Sequence, residues 1–164
     1  MIHLQKLAVR DAQDLDPCPS LIVGPDEDFS RIVQRFAELP ELRGIFVADT
    51  EQRLLGVITR TDLLDWADAK LGPLLQLTSS SRERNIRLGG LIRASTAAEV
   101  MHPDSQCSAV KPDDSLAHAL QLMIELNLVV LPVVDETNRI VEDLKLSELL
   151  ARAAEENARS VGVR

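Results

Sequence analysis

Aromatic residues are nearly missing from this chain. They make up 2% of its 164 residues, with three Phe, one Trp and no Tyr. A core built from such a composition is aliphatic, and the stacking platforms that hold single-stranded nucleic acid are lacking. Positive charge is also in deficit. Against 26 Asp and Glu stand 18 Lys and Arg, for a formal net charge of −8. A polyanion partner needs a basic face. The one local basic run, Ser81-Arg82-Glu83-Arg84-Asn85-Ile86-Arg87, is short and reads as a solvated loop. Both features argue against nucleic acid.

Long apolar runs are absent too. None approaches the ~20 residues that span a bilayer, and the start, Met1-Ile2-His3-Leu4-Gln5-Lys6, lacks a basic region followed by an apolar signal core. No membrane partner is expected, and the expected location is the cytoplasm. Cysteine is scarce: Cys18 and Cys107 are too few for a disulfide framework and are expected as reduced thiols. The three histidines, His3, His102 and His118, share no ligand spacing with them or with each other, so no metal is expected. No nucleophile, base and orienting group can be assembled, which disfavours an enzyme.

What remains is an ordinary soluble composition, 45% hydrophobic and 27% charged. Its length suits one substantial domain or two small ones packed together. After a lead-in over residues 1–15, read as a short helix or extended, Pro17-Cys18-Pro19 breaks regular structure. Ser20-Leu21-Ile22-Val23 reads as a strand closed by Gly24-Pro25. Phe29, Ile32, Val33, Phe36 and Leu39 recur at helical spacing until Pro40. Residues 44–48 and 54–58 read as strands around a polar turn, and 61–71 as a helix ended by Gly72-Pro73. Residues 74–95 are irregular, with four arginines and Gly89-Gly90. They are expected as a linker, either a mobile loop or an inserted short helix, outside both cores.

The same order then returns. Thr96 to Glu99 has capping-box spacing, and 108–110 reads as a strand. Leu116, Ala119, Leu120, Met123, Ile124 and Leu126 form an apolar helix face. Residues 129–134 and 139–144 read as strands and 147–158 as a final helix. An offset of 87 takes Pro25-Asp26 to Pro112-Asp113, Gln34 to Gln121 and Glu38 to Glu125. An offset of 86 takes Asp49 to Asp135 and Leu63-Leu64 to Leu149-Leu150. Two copies of β-α-β-β-α define an internal repeat. The units are 1–73 with the lead-in, 74–95 as linker, and 96–164.

The first copy carries a distinctive strand-to-helix junction, Leu54-Leu55-Gly56-Val57-Ile58-Thr59-Arg60-Thr61-Asp62. A helix start leaves unpaired N–H groups and a partial positive charge, which suit anions and polyhydroxylated ligands. Gly56 permits a backbone or a ligand to come close to the strand. An ordinary helix cap explains the same hydroxyls and carboxylate.

A tandem β-α-β-β-α repeat with this Gly-hydrophobic-hydrophobic-Thr-x-x-Asp junction resembles the CBS domain pair, or Bateman module. Leu21-Ile22-Val23-Gly24-Pro25-Asp26 and Val47-Ala48-Asp49 carry the likeness in the first copy beside the junction. Ala98-Glu99-Val100-Met101-His102-Pro103, Val110-Lys111-Pro112-Asp113-Asp114 and Leu131-Pro132-Val133-Val134-Asp135 carry it in the second. The resemblance covers about residues 15–155. It implies an α/β (in stricter usage α+β) fold of two repeats packed as a pseudo-twofold module, and a homodimer.

It also implies a regulatory sensor for an adenosine-containing ligand in the cleft between the repeats. Candidates are AMP, ADP, ATP or S-adenosylmethionine, and the output would go to an unidentified target protein. Carried over to this chain, Asp62 would bond the ribose hydroxyls, Thr59 and Thr61 would hold ribose and phosphate, and Arg43 would be a basic phosphate ligand. Val57, Thr96, Met101 and Leu128 would face the adenine, although core packing explains those four as well. The second copy departs from the pattern. Glu142, Lys145, Ser147 and Glu148 stand where the first has Gly56, Thr59, Thr61 and Asp62, and Val129 replaces Arg43. One competent site and one degenerate or empty site are therefore expected. The competing function is a ligand-free scaffold for dimerisation or protein interaction.

Overall fold

In the computed structural model, residues 4–12, 18–77, 81–102 and 104–161 are described. Met1, Ile2, His3, Pro17 and Pro103, named above, lie outside them. The first repeat contains β1 (Leu21–Val23), α1 (Phe29–Glu38), β2 (Ile45–Ala48), β3 (Leu54–Ile58) and α2 (Arg60–Leu77). Strand β1 pairs parallel with β2, and β2 antiparallel with β3. Alternation along β2 sends Ile45 and Val47 towards the helices, where Phe29, Ile32, Phe36 and Trp66 meet them. Phe46 points the other way, into a cluster with Val57, Val130 and Val134 shared by both repeats.

After it come α3 (Ser81–Ala94), α4 (Ala97–Val100), α5 (Leu116–Glu125), β4 (Val130–Val134), β5 (Ile140–Lys145) and α6 (Leu146–Val161). The second sheet has two strands, β4 and β5. The strand expected at 108–110 is reduced to a single parallel bridge between Val110 and Val133. Continuing that ladder backwards would require the N–H of residue 132 to reach the Ser108 carbonyl. That residue is Pro132, which has no N–H to give.

Two expectations about 72–95 are corrected. Helix α2 does not end at Gly72-Pro73 but runs on to Leu77 with Pro73 inside it. A residue before proline is pushed out of the helical region partly by its own Cβ, and Gly72 has none. Nor do the described residues of 74–95 lie outside the cores, although the inserted helix, one of the two expectations, is present. The arginine-bearing run expected as loop is the start of α3. Leu88, Leu91 and Ile92 of that helix pack on the first repeat's core. The single Trp66 anchors its end, with Nε1 donating to Ser95 Oγ at 3.2 Å.

The lead-in also behaves differently from its place in the sequence. Val9 and Ala12 are fully buried in the second repeat's core, beside Val110, Leu116 and Met123. Val9 N–H donates to Asp114 O at 2.8 Å, Arg10 N–H to Pro112 O at 3.1 Å, and Leu116 N–H to Leu7 O at 2.8 Å. The same three bonds recur on the first repeat: Ala97 N–H to Glu27 O, Ala98 N–H to Pro25 O and Phe29 N–H to Ser95 O. Each copy's lead-in is therefore docked on the other copy.

The two repeats are joined along an approximate twofold axis. Leu54 N–H donates to Asn138 O and Ile140 N–H to Gln52 O, each at 3.0 Å, and these are equivalent bonds in the two hairpins. Both hairpin turns use the same device. Asp49 Oδ1 accepts from the N–H of Glu51 and Arg53, and Asp135 Oδ1 from that of Thr137 and Arg139. Near the axis the equivalents Gly44 and Val130 meet. A Cβ on Gly44 would lie 2.7 Å from Val130 Cγ1. Gly44→Ala is expected to lower stability by about 1–3 kcal/mol through overpacking. Urea unfolding checks this, and a Gly44→Ala, Val130→Ala double variant should lose less than the sum of the two single changes.

Candidate functional site

The strand β3 delivers its chain directly into α2, and the junction is tied by its own side chains. Asp62 Oδ2 accepts from Thr59 N–H at 2.6 Å and from Thr59 Oγ1 at 2.9 Å. This is the acidic half of a capping box, an N3 carboxylate reaching back to the residue before the helix. Asp62 is 2% exposed and Thr59 6%. Burial raises the Asp62 carboxyl above its ordinary pKa. The two Thr59 hydrogen bonds and the nearby His102 oppose that rise, and Asp65 one turn on adds to it. A carboxylate kept in so dry a place is one that burial works against.

Thr59 and Thr61 open onto a cavity of about 200 Å³, completed by Leu42, Arg43, Arg60, Asn127 and Val129. Both repeats contribute to it. Arg60 is committed there: its Nη2 donates to the carbonyls of Phe36 at 2.9 Å, Leu39 at 3.1 Å and Pro40 at 3.3 Å. Its guanidinium also lies 5.1 Å from the Phe36 ring centroid. Arg43 is exposed. Thr59, Thr61 and Arg43 are thus brought together, with Asp62 behind them and outside the cavity's lining.

The other four sequence candidates lie elsewhere. Val57 is fully buried in the inter-repeat cluster, and Leu128 sits at 2% exposure in the second repeat's core. Thr96 precedes α4, paired with Asp28, its N–H donating to Glu99 Oε2 at 2.9 Å. Met101 covers the strand edge: a Cβ on Gly56 would meet its Sδ at 2.6 Å and Ser105 Oγ at 2.9 Å. The close approach that Gly56 allows is therefore made by this chain's own Met101 and Ser105. Val57 N–H donates to Ser105 Oγ and His102 N–H to Val57 O, both at 2.9 Å. Ser105 and Asn127 were not singled out by the sequence. A lone Ser in a loop and an Asn after a helix carry no spacing signal.

The second junction keeps the backbone device and changes the chemistry. Lys145 N–H donates to Glu148 Oε2 at 2.8 Å, as Thr59 does to Asp62. Lys145 is 2% exposed, its Nζ 3.2 Å from Asp143 Oδ1 and 3.7 Å from Glu148 Oε1. These residues, with Glu142, Ser20, Phe46 and Ile140, line a larger cavity of about 400 Å³. Asp143 Oδ2 also accepts from Ser20 N–H at 2.8 Å. Neither cysteine forms a disulfide. Among the described residues there is no cluster able to hold a metal ion, and no helix is long and apolar enough to cross a membrane.

Two α+β repeats with equivalent junctions, joined about an approximate twofold axis and each capped by the other's lead-in, define a tandem-repeat module with clefts between its halves. The CBS domain family model matches residues 12–69 and 97–155, and the chain belongs to that family. It is similar to a CBS domain-containing protein from Thermotoga maritima, at 28% identity over 88% of this chain and 92% of that one, with a TM-score of 0.68. Arabidopsis thaliana CBSX2, solved in complex with AMP, is 22% identical over 92% of this chain and 98% of that one, with a TM-score of 0.63. The cytosolic domain of the Mg2+ channel MgtE, solved in complex with ATP, is 22% identical over 80% of this chain and 44% of that one, with a TM-score of 0.54. No curated protein matches the chain in sequence.

The raised pKa of Asp62 has a consequence for stability. A carboxyl whose pKa is higher in the folded than in the unfolded state favours folding below the unfolded value. That contribution is lost as pH rises through the folded one. Asp62→Asn keeps an oxygen to accept both Thr59 bonds and removes the buried charge. At pH 7.5 its melting temperature is expected to equal the parent's or exceed it by roughly 2–4 °C. The gap should close as the pH is lowered through the carboxylate range, which a calorimetric pH series checks.

Proposed function

We propose that this chain is a regulatory module, without catalytic activity, that senses an adenosine nucleotide at the β3–α2 junction. The observation that carries this reading is the convergence of Thr59, Thr61 and Arg43 on a cavity between the repeats, at the start of an 18-residue helix, with buried Asp62 directly behind. The Thr61 hydroxyl, helix-start N–H groups and a guanidinium suit a phosphate, while Thr59, whose hydroxyl proton goes to Asp62 Oδ2, holds that carboxylate in place. A carboxylate suits two adjacent ribose hydroxyls. The neighbours solved with AMP and with ATP support the same ligand class.

In this reading the ligand's adenosine part competes with Met101, His102 and Ser105 for the β3 edge. Binding releases the Ser105–Val57 and His102–Val57 bonds, and the shift passes along a segment docked on both repeats. A ligand moves that equilibrium only by its preference for the displaced arrangement. The output is a changed surface offered to a target protein. The module acts as a cytoplasmic homodimer through its helices, where Leu64 on α2 and its equivalent Leu150 on α6 are 69% and 51% exposed.

One observation favours the ligand-free scaffold instead. Lys145 and Glu148 form the same backbone cap without the hydroxyls, so Asp62 has a sufficient structural role. A thermal-shift series with AMP, ADP, ATP, S-adenosylmethionine and NAD separates the two. At about 100 times Kd, one-site binding adds ~2.7 kcal/mol and raises the melting temperature by roughly 5–11 °C. Sensing requires that shift in the parent and its loss in both Asp62→Asn and Asp62→Ala. A well-folded parent that none of these ligands stabilises belongs to the scaffold reading.

A further inference from the structure

We infer that the groove between the β1–α1 turn and the β2–β3 hairpin of the first repeat docks a basic segment of a partner protein, one that presents Arg and Lys side chains. The inference does not depend on the nucleotide reading and holds for a sensor and a scaffold alike. The groove lies at the opposite end of the first sheet from the Thr59–Arg43 cavity: Arg43 precedes β2, and Asp49 follows it. Its volume is about 580 Å³, and Asp26, Glu27, Asp28 and Asp49 line it against a single cation, Arg31.

Two of these carboxylates are committed within the chain. Asp49 uses both oxygens in its own hairpin turn, on the N–H groups of Glu51 and Arg53 and on Arg53 Nε. Glu27 Oε1 lies 3.4 Å from Arg31 Nη1. Asp26 and Asp28 are exposed, and among the described residues neither side chain has a hydrogen bond or an ion pair. Asp28 stands just ahead of α1 yet caps no N–H of that helix. Its equivalent in the second repeat, Ser115, does so, accepting from His118 N–H at 3.1 Å.

The second repeat holds the same turn with cations in place. The offset of 87 takes Gly24 to Lys111 and Asp26 to Asp113. Asp113 is paired with Arg10, and Lys111 Nζ lies 2.6 Å from Glu136 Oε2. Arg10 arrives on the docked lead-in, its N–H donating to Pro112 O as that of Ala98 donates to Pro25 O. The first repeat therefore has Ala98 where the second has Arg10, and Gly24 where the second has Lys111. The places of both cations are open. A Cβ on Gly24 would meet nothing within 4 Å, and Ala98 is exposed. A guanidinium and an ammonium from another protein supply there what Arg10 and Lys111 supply within this chain. A metal ion does not suit the groove, because no cluster among the described residues is gathered closely enough to hold one.

The test is fluorescence anisotropy of the full chain with a short labelled peptide of Gly, Arg and Lys, set beside a counterpart with Glu in place of Arg and Lys. The basic peptide is expected to bind and the acidic one not, with affinity falling as salt is raised. Asp26→Asn combined with Asp28→Asn should weaken binding by roughly tenfold or more, as loss of charged hydrogen bonds predicts. Gly24→Lys combined with Ala98→Arg gives the first repeat the cations of the second. It should weaken the peptide as much while the melting temperature stays at or above the parent's. Glu41→Gln combined with Asp68→Asn makes the same change in net charge at exposed residues outside the groove, and should bind like the parent. A basic peptide that does not bind, or that this last variant weakens as much as the other two, would overturn the inference. So would displacement of the peptide by Mg2+ beyond that by K+ at equal ionic strength, which would make the groove a metal site.

Discussion

Two backbone hydrogen bonds, Leu54 to Asn138 and Ile140 to Gln52, hold the hairpins of the two repeats together. Much else is constrained by that pairing. It brings Phe46, Val57, Val130 and Val134 into one apolar cluster and requires Gly44 to yield its side-chain volume to Val130. It also sets the two strand-to-helix junctions on opposite sides of one axis. The lead-ins then cross from one repeat to the other, so no repeat completes its own core. Val9 and Ala12 close the second, and Ala97 and Val100 close the first. A change at one junction therefore has a covalent path to the opposite repeat.

Duplication has left the two junctions with one backbone plan and two chemistries. Both close with an acidic side chain reaching back to the N–H ahead of the helix. In the first copy the polar groups are hydroxyls open to a cavity, with the carboxylate buried behind. In the second, Lys145 takes the hydroxyl's place, and its charge is set between Asp143 and Glu148. An internal cation that neutralises the carboxylates leaves less for an incoming phosphate to meet. The larger of the two cavities lies at the second junction, and at the first Met101 and Ser105 stand against Gly56 on the strand edge.

Most of the fold was legible in the sequence because periodicity and punctuation reported it directly. Phe29, Ile32 and Phe36 mark the buried face of α1 at helical spacing. The offsets of 86 and 87 anticipated equivalences now seen as paired bonds. What misled was local punctuation read without tertiary context. Gly72-Pro73 reads as a stop, yet a glycine before proline removes much of the clash that would end the helix. The run 81–94 looks irregular because its apolar positions are sparse, and its docking depends on Trp66 and Ser95 far off in sequence. The swapped lead-ins carry no signal at all, since sequence order assigns each to the repeat it precedes. At the site, Thr59, Thr61, Asp62 and Arg43 were legible as a junction and a basic flank. Met101 and Ser105 entered from the opposite strand of chain, and their contact with β3 depends on the fold alone.

The central claim is that a single nucleotide site per chain is built on the Asp62 junction. Its most direct test is the stoichiometry of AMP binding to the parent chain by isothermal titration, set beside that of Asp62→Asn. One AMP per chain in the parent and none in the variant is the result this account requires. Two per chain, or one that persists in Asp62→Asn, would place the ligand at the Lys145–Glu148 junction instead and contradict it.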